Sequence, residues 1–300
     1  MKVITRVMFA SDITADELAE LGPLLTRALD SIFLGMFTRA LPGWVPVPGQ
    51  RRHARDVARI DALLRRVIAR RRSSGAQAPD LLGMLLGLVD ADTGEGMSDQ
   101  QLIDEVMTIF LAGYETTAAA LAWTFVLLDR HPDAMTRLRG EVDAALGARR
   151  PGLDDLPRLP ATRMVVQEAL RLYPPIWFIP RTAVADDVID GFFVPAGTTV
   201  APIVYTIQRH PACWDQPDRF LPERFTADGA DRHPLAWMPF GAGPRVCIGK
   251  EVAMMEVQLI VAMILQSFDV TPVPGARSSP DVATTLRPKG NLLATRRRRP

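Results

Sequence analysis

A cysteine set among glycines is the residue of this sequence with the clearest capacity for chemistry. Its loop lies directly before a predicted helix and holds six residues at set offsets: Phe240, Gly241, Gly243, Arg245, Cys247 and Gly249. The unpaired N–H groups and the positive dipole end at a helix N-terminus favour a thiolate over a thiol. A thiolate at Cys247 would be an anionic metal ligand. The alternative is a glycine-rich loop around a buried, inert cysteine.

A second group of polar residues interrupts the most apolar predicted helix. Glu115 and Thr116 follow the small residues Ala112 and Gly113 there, and burying an acid and a hydroxyl is costly unless they are hydrogen-bonded or wet. The small residues leave a groove, and the Thr116 hydroxyl can bond back to the carbonyl of Ala112 and open the helix locally. The alternative is a helix with polar residues on an interhelical face.

The loop of residues 240–249 resembles the haem-binding signature of the cytochrome P450 family. Three further segments resemble other motifs of that family, in the family's order: residues 112–117, 168–171 and 222–225. The resemblance covers the chain from about residue 16 onward. It implies haem b (iron protoporphyrin IX) with Cys247 as the iron ligand, and thiolate ligation promotes O–O cleavage.

The resemblance also assigns roles around the haem. Arg245 and Arg181 are implied donors to the haem propionates, because a guanidinium offers a fork of N–H groups to a carboxylate. Phe240 is implied to shield the sulfur. The three glycines of the loop, Gly241, Gly243 and Gly249, let the backbone approach a flat macrocycle where a β-carbon would collide.

On the central helix the resemblance implies a site for dioxygen. Thr116 would steady the oxygen, Glu115 would help relay protons to it, and Ala112 and Gly113 would leave the space that it occupies. An acid and an alcohol with access to water suit this transfer of protons.

The resemblance to the family implies a structural role for two oppositely charged residues at helical spacing. Glu168 and Arg171 are three residues apart, which is common on exposed helices and is little evidence by itself. In the family pattern Arg224 joins them in a buried network that locks the segment before the cysteine loop.

Substrate-facing residues are expected where the chain skirts the edge of the haem. Ile176, Trp177 and Phe178 are the candidates, and Thr284 is a further one near the end of the chain. The alternative is that these side chains only fill the core.

The periodicity of apolar residues predicts a mainly α fold with a small β component. Predicted helices cover residues 16–38, 51–72, 99–130, 133–146, 162–172 and 249–268, and the longest is apolar nearly all round from residue 109 to 128. Val, Ile, Phe and Thr between residues 176 and 207 predict a small sheet with turns at Asp190-Gly191 and at residues 195–197. We expect a closing hairpin over residues 285–294 and a solvated tail over residues 296–299.

Composition excludes some classes of function. Lys and Arg number 35 against 34 Asp and Glu, so the net charge of +1 gives no attraction for nucleic acid. Two cysteines suggest a reducing, cytoplasmic setting. The longest apolar run, residues 118–128, is shorter than the ~20 residues of a membrane span, and we expect no span in this chain.

The whole pattern predicts a single partial P450 domain over residues 1–300, truncated at its N-terminal side, with haem between the central helix and the helix after Cys247. We expect a monooxygenase that acts on a hydrophobic small molecule with O2. Its electrons would come from NAD(P)H through a separate protein, either a diflavin reductase or a ferredoxin or flavodoxin, because no reductase domain is visible. The alternatives are a haem-thiolate peroxygenase or isomerase, or a haem-binding chain without catalysis. A truncated pocket would bind haem weakly.

Overall fold

A computed structural model describes residues 2–9, 12–38, 45, 47–75, 78–226, 232–273, 278–290 and 294–299. They form two compact units, Met1–Glu115 and Thr116–Pro300. Most described residues are helical and the strands are short, so the predicted fold class, mainly α with a small β component, is confirmed.

The first unit is helical. It contains α1 (Lys2–Phe9), α2 (Ala15–Thr38), α3 (Gln50–Ser74), α4 (Leu81–Gly87) and the first half of α5 (Asp99–Arg130). Apolar residues from all of these helices form one core that includes Phe9, Leu25, Leu63 and Phe110. The sequence predicted α2, α3 and α5 and missed α1 and α4, which are short.

The start and end of α5 match the sequence signals. In the sequence, Ser98 and Gln101 have the spacing of a capping box, and His131-Pro132 predicts the end of the helix. In the structure the Gln101 amide donates to Ser98 Oγ at 3.3 Å and the Ser98 amide donates to Gln101 Oε1 at 3.0 Å. By length and composition α5 is also apolar enough to cross a membrane, and 44% of its most apolar window is buried inside the protein. Core helices of soluble proteins meet the same criteria, so these two properties do not assign a span.

The second unit packs its helices around a separate core. After the end of α5 come α6 (Pro132–Leu146), α7 (Pro160–Leu172), the short α8 (Val204–Ile207) and α9 (Lys250–Ser267). Both α6 and α7 contact α9. Residues of α5, α6, α7 and α9 share the apolar core, among them Leu128, Leu138, Val166 and Val261.

Small antiparallel strand pairs complete this unit. β1 (Arg181–Thr182) pairs with β4 (Thr199–Val200), and between them β2 (Asp187–Ile189) pairs with β3 (Phe192–Val194). The turn between β2 and β3 is at Asp190 and Gly191, which have φ values of 49° and 82°, as a tight hairpin requires. The turn therefore lies where the sequence placed it. The predicted small sheet over residues 176–207 is instead two separate strand pairs within residues 181–200, and its predicted end forms α8.

The prediction for the C-terminal segment was wrong about the position of the hairpin and about the arginine-rich end. The closing hairpin joins β6 (Pro280–Val282) to β7 (Leu286–Pro288), rather than spanning residues 285–294. The arginine-rich end is not a solvated tail, because β8 (Ala294–Arg298) pairs along its length with β5 (Phe268–Pro272). Arg299 then donates to Asp143 at 2.8 Å. Backbone pairing holds the strand, and the long side chains keep their charges at the surface.

Candidate functional site

The cysteine loop is a tight connection that ends at α9. Cys247 lies three residues before Lys250, the first residue of α9, and its side chain is exposed. The Cys247 amide donates to the carbonyl of Phe240 at 2.9 Å, and the Lys250 amide donates to the carbonyl of Cys247 at 3.3 Å. These bonds close the loop on itself and hold the sulfur near the positive end of the α9 dipole.

Two of the three glycines are required by the backbone. Gly241 has φ 72° and Gly243 has φ 71°, in the left-handed region that other residues enter at a cost. Gly249 differs, because its φ is −86° and a β-carbon there would make an ordinary contact of 3.9 Å with Cys247 Sγ. The fold therefore explains Gly241 and Gly243, and leaves Gly249 without a backbone reason.

The surface around Cys247 is apolar, exposed and flanked by cations. Ile248 is 99% exposed and Val246 48% exposed, although they adjoin a helix of the core. Arg245 and Arg181 are also exposed, and neither forms an ion pair with any residue that the structure describes. The segment before Arg181 lies against the loop, since a β-carbon on Gly241 would be 3.7 Å from Ile179 Cδ1. This combination of sulfur, apolar surface and two available guanidiniums fits a flat, apolar group with carboxylates, which is the chemistry of haem.

Phe240 is anchored at the start of the loop. Its ring is half-buried and meets Trp237 edge-on, with 6.1 Å between the ring centroids. The Trp237 indole donates to the carbonyl of Gln167 in α7 at 3.2 Å. The ring of Phe240 is therefore held by α7 through Trp237.

The polar segment of α5 differs from the expectation at Gly113. The helix runs without a break from Asp99 to Arg130, and the bond from the Thr116 hydroxyl to the Ala112 carbonyl, with the local opening that it would cause, stays a prediction. At Gly113, a β-carbon would lie only 2.9 Å from Ile4 Cδ1, so the side chain of Ile4 fills the space expected to be a groove. Ala112 is exposed, and Glu115 and Thr116 are half-buried.

The expected charge network is present and buried. The Arg171 Nε atom lies 2.7 Å from Glu168 Oε2, and both side chains are 0% exposed. Arg224 Nε lies 3.5 Å from Glu168 Oε1 and is nearly buried. Glu168 also accepts the amide of Leu221 at 2.8 Å. The network therefore ties α7 to the segment that holds Arg224.

Arg171 also binds three backbone carbonyls of the following segment. Its guanidinium donates to the carbonyls of Gln208, Pro217 and Arg219 at 2.7–3.0 Å. The side chain of Gln208 is itself fully buried and hydrogen-bonded on both sides. The sequence did not single out Gln208, because no motif includes it and a glutamine before Arg209 gives no signal of burial.

The substrate candidates are brought together in part. The Trp177 indole donates to the carbonyl of Ala283 at 3.0 Å, and Ala283 precedes Thr284 in the turn between β6 and β7. The Trp177 and Phe178 rings are 4.2 Å apart, and Ile176 is 37% exposed. The two segments thus lie side by side, although they are about a hundred residues apart in the chain.

A cavity of about 390 Å³ opens at the ends of α5 and α7. Its lining includes Tyr173, Tyr205, Arg209 and Asp218, and no residue of the cysteine loop. The Arg209 guanidinium stacks 3.8 Å from the centroid of the Tyr205 ring, and burial lowers the pKa of Arg209. The exposed surface at Cys247, rather than this cavity, is the place where the residues fit haem.

Comparison with known proteins finds one family. The sequence profile of the cytochrome P450 family matches residues 1–294. A cyclooctat-9-en-7-ol 5-monooxygenase of Streptomyces melanosporofaciens is 38% identical over 282 residues, which are 92% of this chain and 60% of the relative. A pentalenene oxygenase of Streptomyces avermitilis is 33% identical over 100% of this chain and 67% of its own length.

A solved structure has a similar fold. The crystal structure of the cytochrome P450DA heme domain superposes with a TM-score of 0.86 at 32% sequence identity. The match covers 99% of this chain and 65% of that one. The chain thus spans about three fifths to two thirds of the length of these relatives.

Proposed function

Because the chain belongs to the cytochrome P450 family, we propose that it binds haem b through Cys247 and acts as a monooxygenase, inserting one oxygen atom of O2 into a hydrophobic organic substrate. One observation carries the proposal. An exposed cysteine lies before α9 in a loop that is closed by hydrogen bonds and turned by glycines at positive φ, beside exposed Arg245 and exposed apolar Ile248.

The residues of the loop would hold the cofactor. Haem with a thiolate ligand supplies the activation of oxygen. The Cys247 sulfur would be held as an anion near the N-terminus of α9, and Arg245 and Arg181 would bind the two propionates. Phe240 would cover the sulfur and limit its contact with water.

Glu115 and Thr116 would deliver protons on the side of α5. Glu115 would relay protons to the Thr116 hydroxyl, which can pass them on because an alcohol both donates and accepts. Such a relay favours a monooxygenase over a peroxygenase or an isomerase, which need no protons delivered to reduced oxygen.

The substrate would contact the paired segments around Trp177 and Thr284. Trp177, Phe178 and the partly exposed Ile176 offer an apolar surface there. Two relatives are named for their action on cyclooctat-9-en-7-ol and pentalenene, so cyclic alkenes are the first compounds to test.

Electrons would arrive from NAD(P)H through a separate protein, a diflavin reductase or a ferredoxin or flavodoxin system. We place the reaction in the cytoplasm, where such carriers and reduced cysteines occur.

Turnover tests the proposal. The chain is loaded with haemin, supplied with NADPH, a bacterial ferredoxin and its reductase, and incubated under ¹⁸O2 with pentalenene or lauric acid. The proposal predicts a hydroxylated product that carries one labelled oxygen atom and is absent with Cys247→Ser. The variant Cys213→Ser, at the other free cysteine, should form product at the rate of the parent.

Two other results would replace the proposal. Product that forms with hydrogen peroxide, but not with NADPH, the ferredoxin and its reductase, would indicate a peroxygenase. A haem-loaded chain with a thiolate-type spectrum that forms no product under any condition would indicate a haem-binding protein without catalysis.

A further inference from the structure

We propose that Gln208 is a positioning residue for the cysteine loop, an inference that rests on the proposed role of Cys247 as the haem ligand. Gln208 follows α8 and its side chain is fully buried. It joins the C-terminal end of α7 to the segment that leads into the loop, and neither the family motifs nor the charge network includes it.

The amide of Gln208 makes three hydrogen bonds to backbone groups. Its Nε2 donates to the carbonyls of Leu170 and Arg171, both at 3.0 Å. Its Oε1 accepts the amide of Met238 at 2.8 Å. One side chain therefore satisfies two carbonyls of the last turn of α7 and one N–H of the distant segment, and it uses both ends of the amide at once.

A short chain of hydrogen bonds leads from Met238 to Cys247. The carbonyl of Met238 accepts the amide of Gly241 at 3.0 Å, and the carbonyl of Phe240 accepts the amide of Cys247 at 2.9 Å. The position of Met238 thus sets where the glycine turn begins, and the turn sets the position of the sulfur. Gln208 bonds Met238 directly to the last turn of α7, next to the Trp237 indole, which bonds to Gln167 in the same helix.

Hydrogen bonds also hold the backbone of Gln208 in place. Its carbonyl accepts Arg171 Nη1 at 2.9 Å and its amide donates to the carbonyl of Val204 at 3.0 Å. The buried network of Glu168 and Arg171 therefore reaches the cysteine loop through Gln208. An isosteric apolar residue at this position would leave two carbonyls and one N–H buried without partners, which costs free energy at each group.

The test compares two buried glutamines of the same unit. Gln208→Leu removes the connection between α7 and Met238. Gln258→Leu is the matched control, because Gln258 is 5% exposed and its side chain donates at 2.8 Å to the carbonyl of Met254 in its own helix, α9. Gln208→Asn, which keeps the amide on a shorter side chain, is a milder variant if Gln208→Leu does not fold.

Hydrogen exchange of the full chain without haem gives the first measurement. We expect the Met238 and Cys247 amides to exchange at least about tenfold faster in Gln208→Leu than in Gln258→Leu, and Gln208→Asn to lie between the parent and Gln208→Leu. Equal exchange at these amides in the two leucine variants would overturn the proposal. This measurement is independent of haem binding, so it stands even if the proposed function fails.

The spectrum with haem gives the second measurement. In the reduced, carbon-monoxide-bound state, Gln208→Leu should convert a larger fraction of the thiolate-type band to the neutral-thiol type than Gln258→Leu does. Equal fractions would contradict the positioning role. A parent that shows no thiolate-type band would instead contradict the proposed function.

Discussion

Arg171 donates two parallel hydrogen bonds to Glu168, from Nε to Oε2 at 2.7 Å and from Nη2 to Oε1 at 2.9 Å, and both side chains are fully buried. A buried pair of this kind is not in itself a large source of stability, because desolvation offsets the attraction. Its importance lies in what each partner also holds: Glu168 accepts the amide of Leu221, and Arg171 donates to three carbonyls.

Removing the charge of Glu168 should therefore destabilise the second unit strongly. Glu168→Gln leaves the Arg171 guanidinium buried without its counter-charge, and we expect a loss of about 3–5 kcal/mol in the free energy of unfolding. Asp61→Asn is the control, since Asp61 and Arg65 form an exposed pair at i and i+4 on α3 and should cost at most about 0.5 kcal/mol. Urea unfolding of both variants measures the difference, and similar losses would show that burial does not distinguish the two pairs.

Substituting alanine for two different glycines should change the stability of the chain in opposite directions. Gly241 has φ 72°, so Gly241→Ala should destabilise the chain by about 1–2 kcal/mol. Gly140 lies within α6 with open space around it, so Gly140→Ala should stabilise it by about 0.5–1 kcal/mol. Thermal unfolding of the two variants provides the measurement. If Gly241→Ala were neutral, the tight left-handed turn before Cys247 would not be present.

The pair of Glu17 and Arg70 should make the first unit sensitive to acid. Hydrogen bonding from Arg70 is the largest cause that lowers the pKa of Glu17 from 4.5 to about 2. A carboxyl with a lowered pKa contributes stability above its unfolded pKa, and this contribution is lost as the pH falls through the folded pKa. The parent should therefore exceed Glu17→Gln in stability by a constant amount above about pH 5, and this excess should shrink between about pH 5 and pH 2. Urea unfolding at several pH values tests this, and an excess that does not change with pH would contradict the pKa of Glu17.

Thr116→Ala should reduce product formation more than it reduces the consumption of electrons, because it removes a group that delivers protons. Because general acid–base groups typically contribute about 10²–10⁴ in rate, we expect product formation to fall by at least about 100-fold. Electron use should fall less, with reduced oxygen released as hydrogen peroxide. Comparing product formed per NADPH consumed in the parent and the variant gives the result. A variant with the parent's ratio would show that Thr116 has no part in the relay.

The elements of the fold that have strong local signals were predictable. The apolar periodicity of α5 and its Ser98 capping box gave the helix to within a residue at both ends, and Asp190-Gly191 gave the hairpin turn. The C-terminal strands were not predictable, because β5 and β8 are far apart in the chain and pair through backbone groups. Arginines in β8 conceal a strand, since composition there resembles a charged tail.

The same limit applies to the site. The sequence predicted a charge network of Glu168, Arg171 and Arg224, and the structure brings these three side chains together. The role of Cys247 stays a prediction. The sequence could not identify Gln208, because the proposed role of that residue depends on its hydrogen bonds to three backbone groups of other segments. It also could not foresee that Ile4 would fill the space beside Gly113, since no local pattern relates two residues so distant.

Iron ligation by Cys247 is tested most directly by the visible spectrum of the chain with haemin, reduced and bound by carbon monoxide, for the parent, Cys247→Ser and Cys213→Ser. We expect a thiolate-type Soret band for the parent and for Cys213→Ser, and its loss in Cys247→Ser. The same band in Cys247→Ser as in the parent would show that the sulfur at position 247 does not bind the iron.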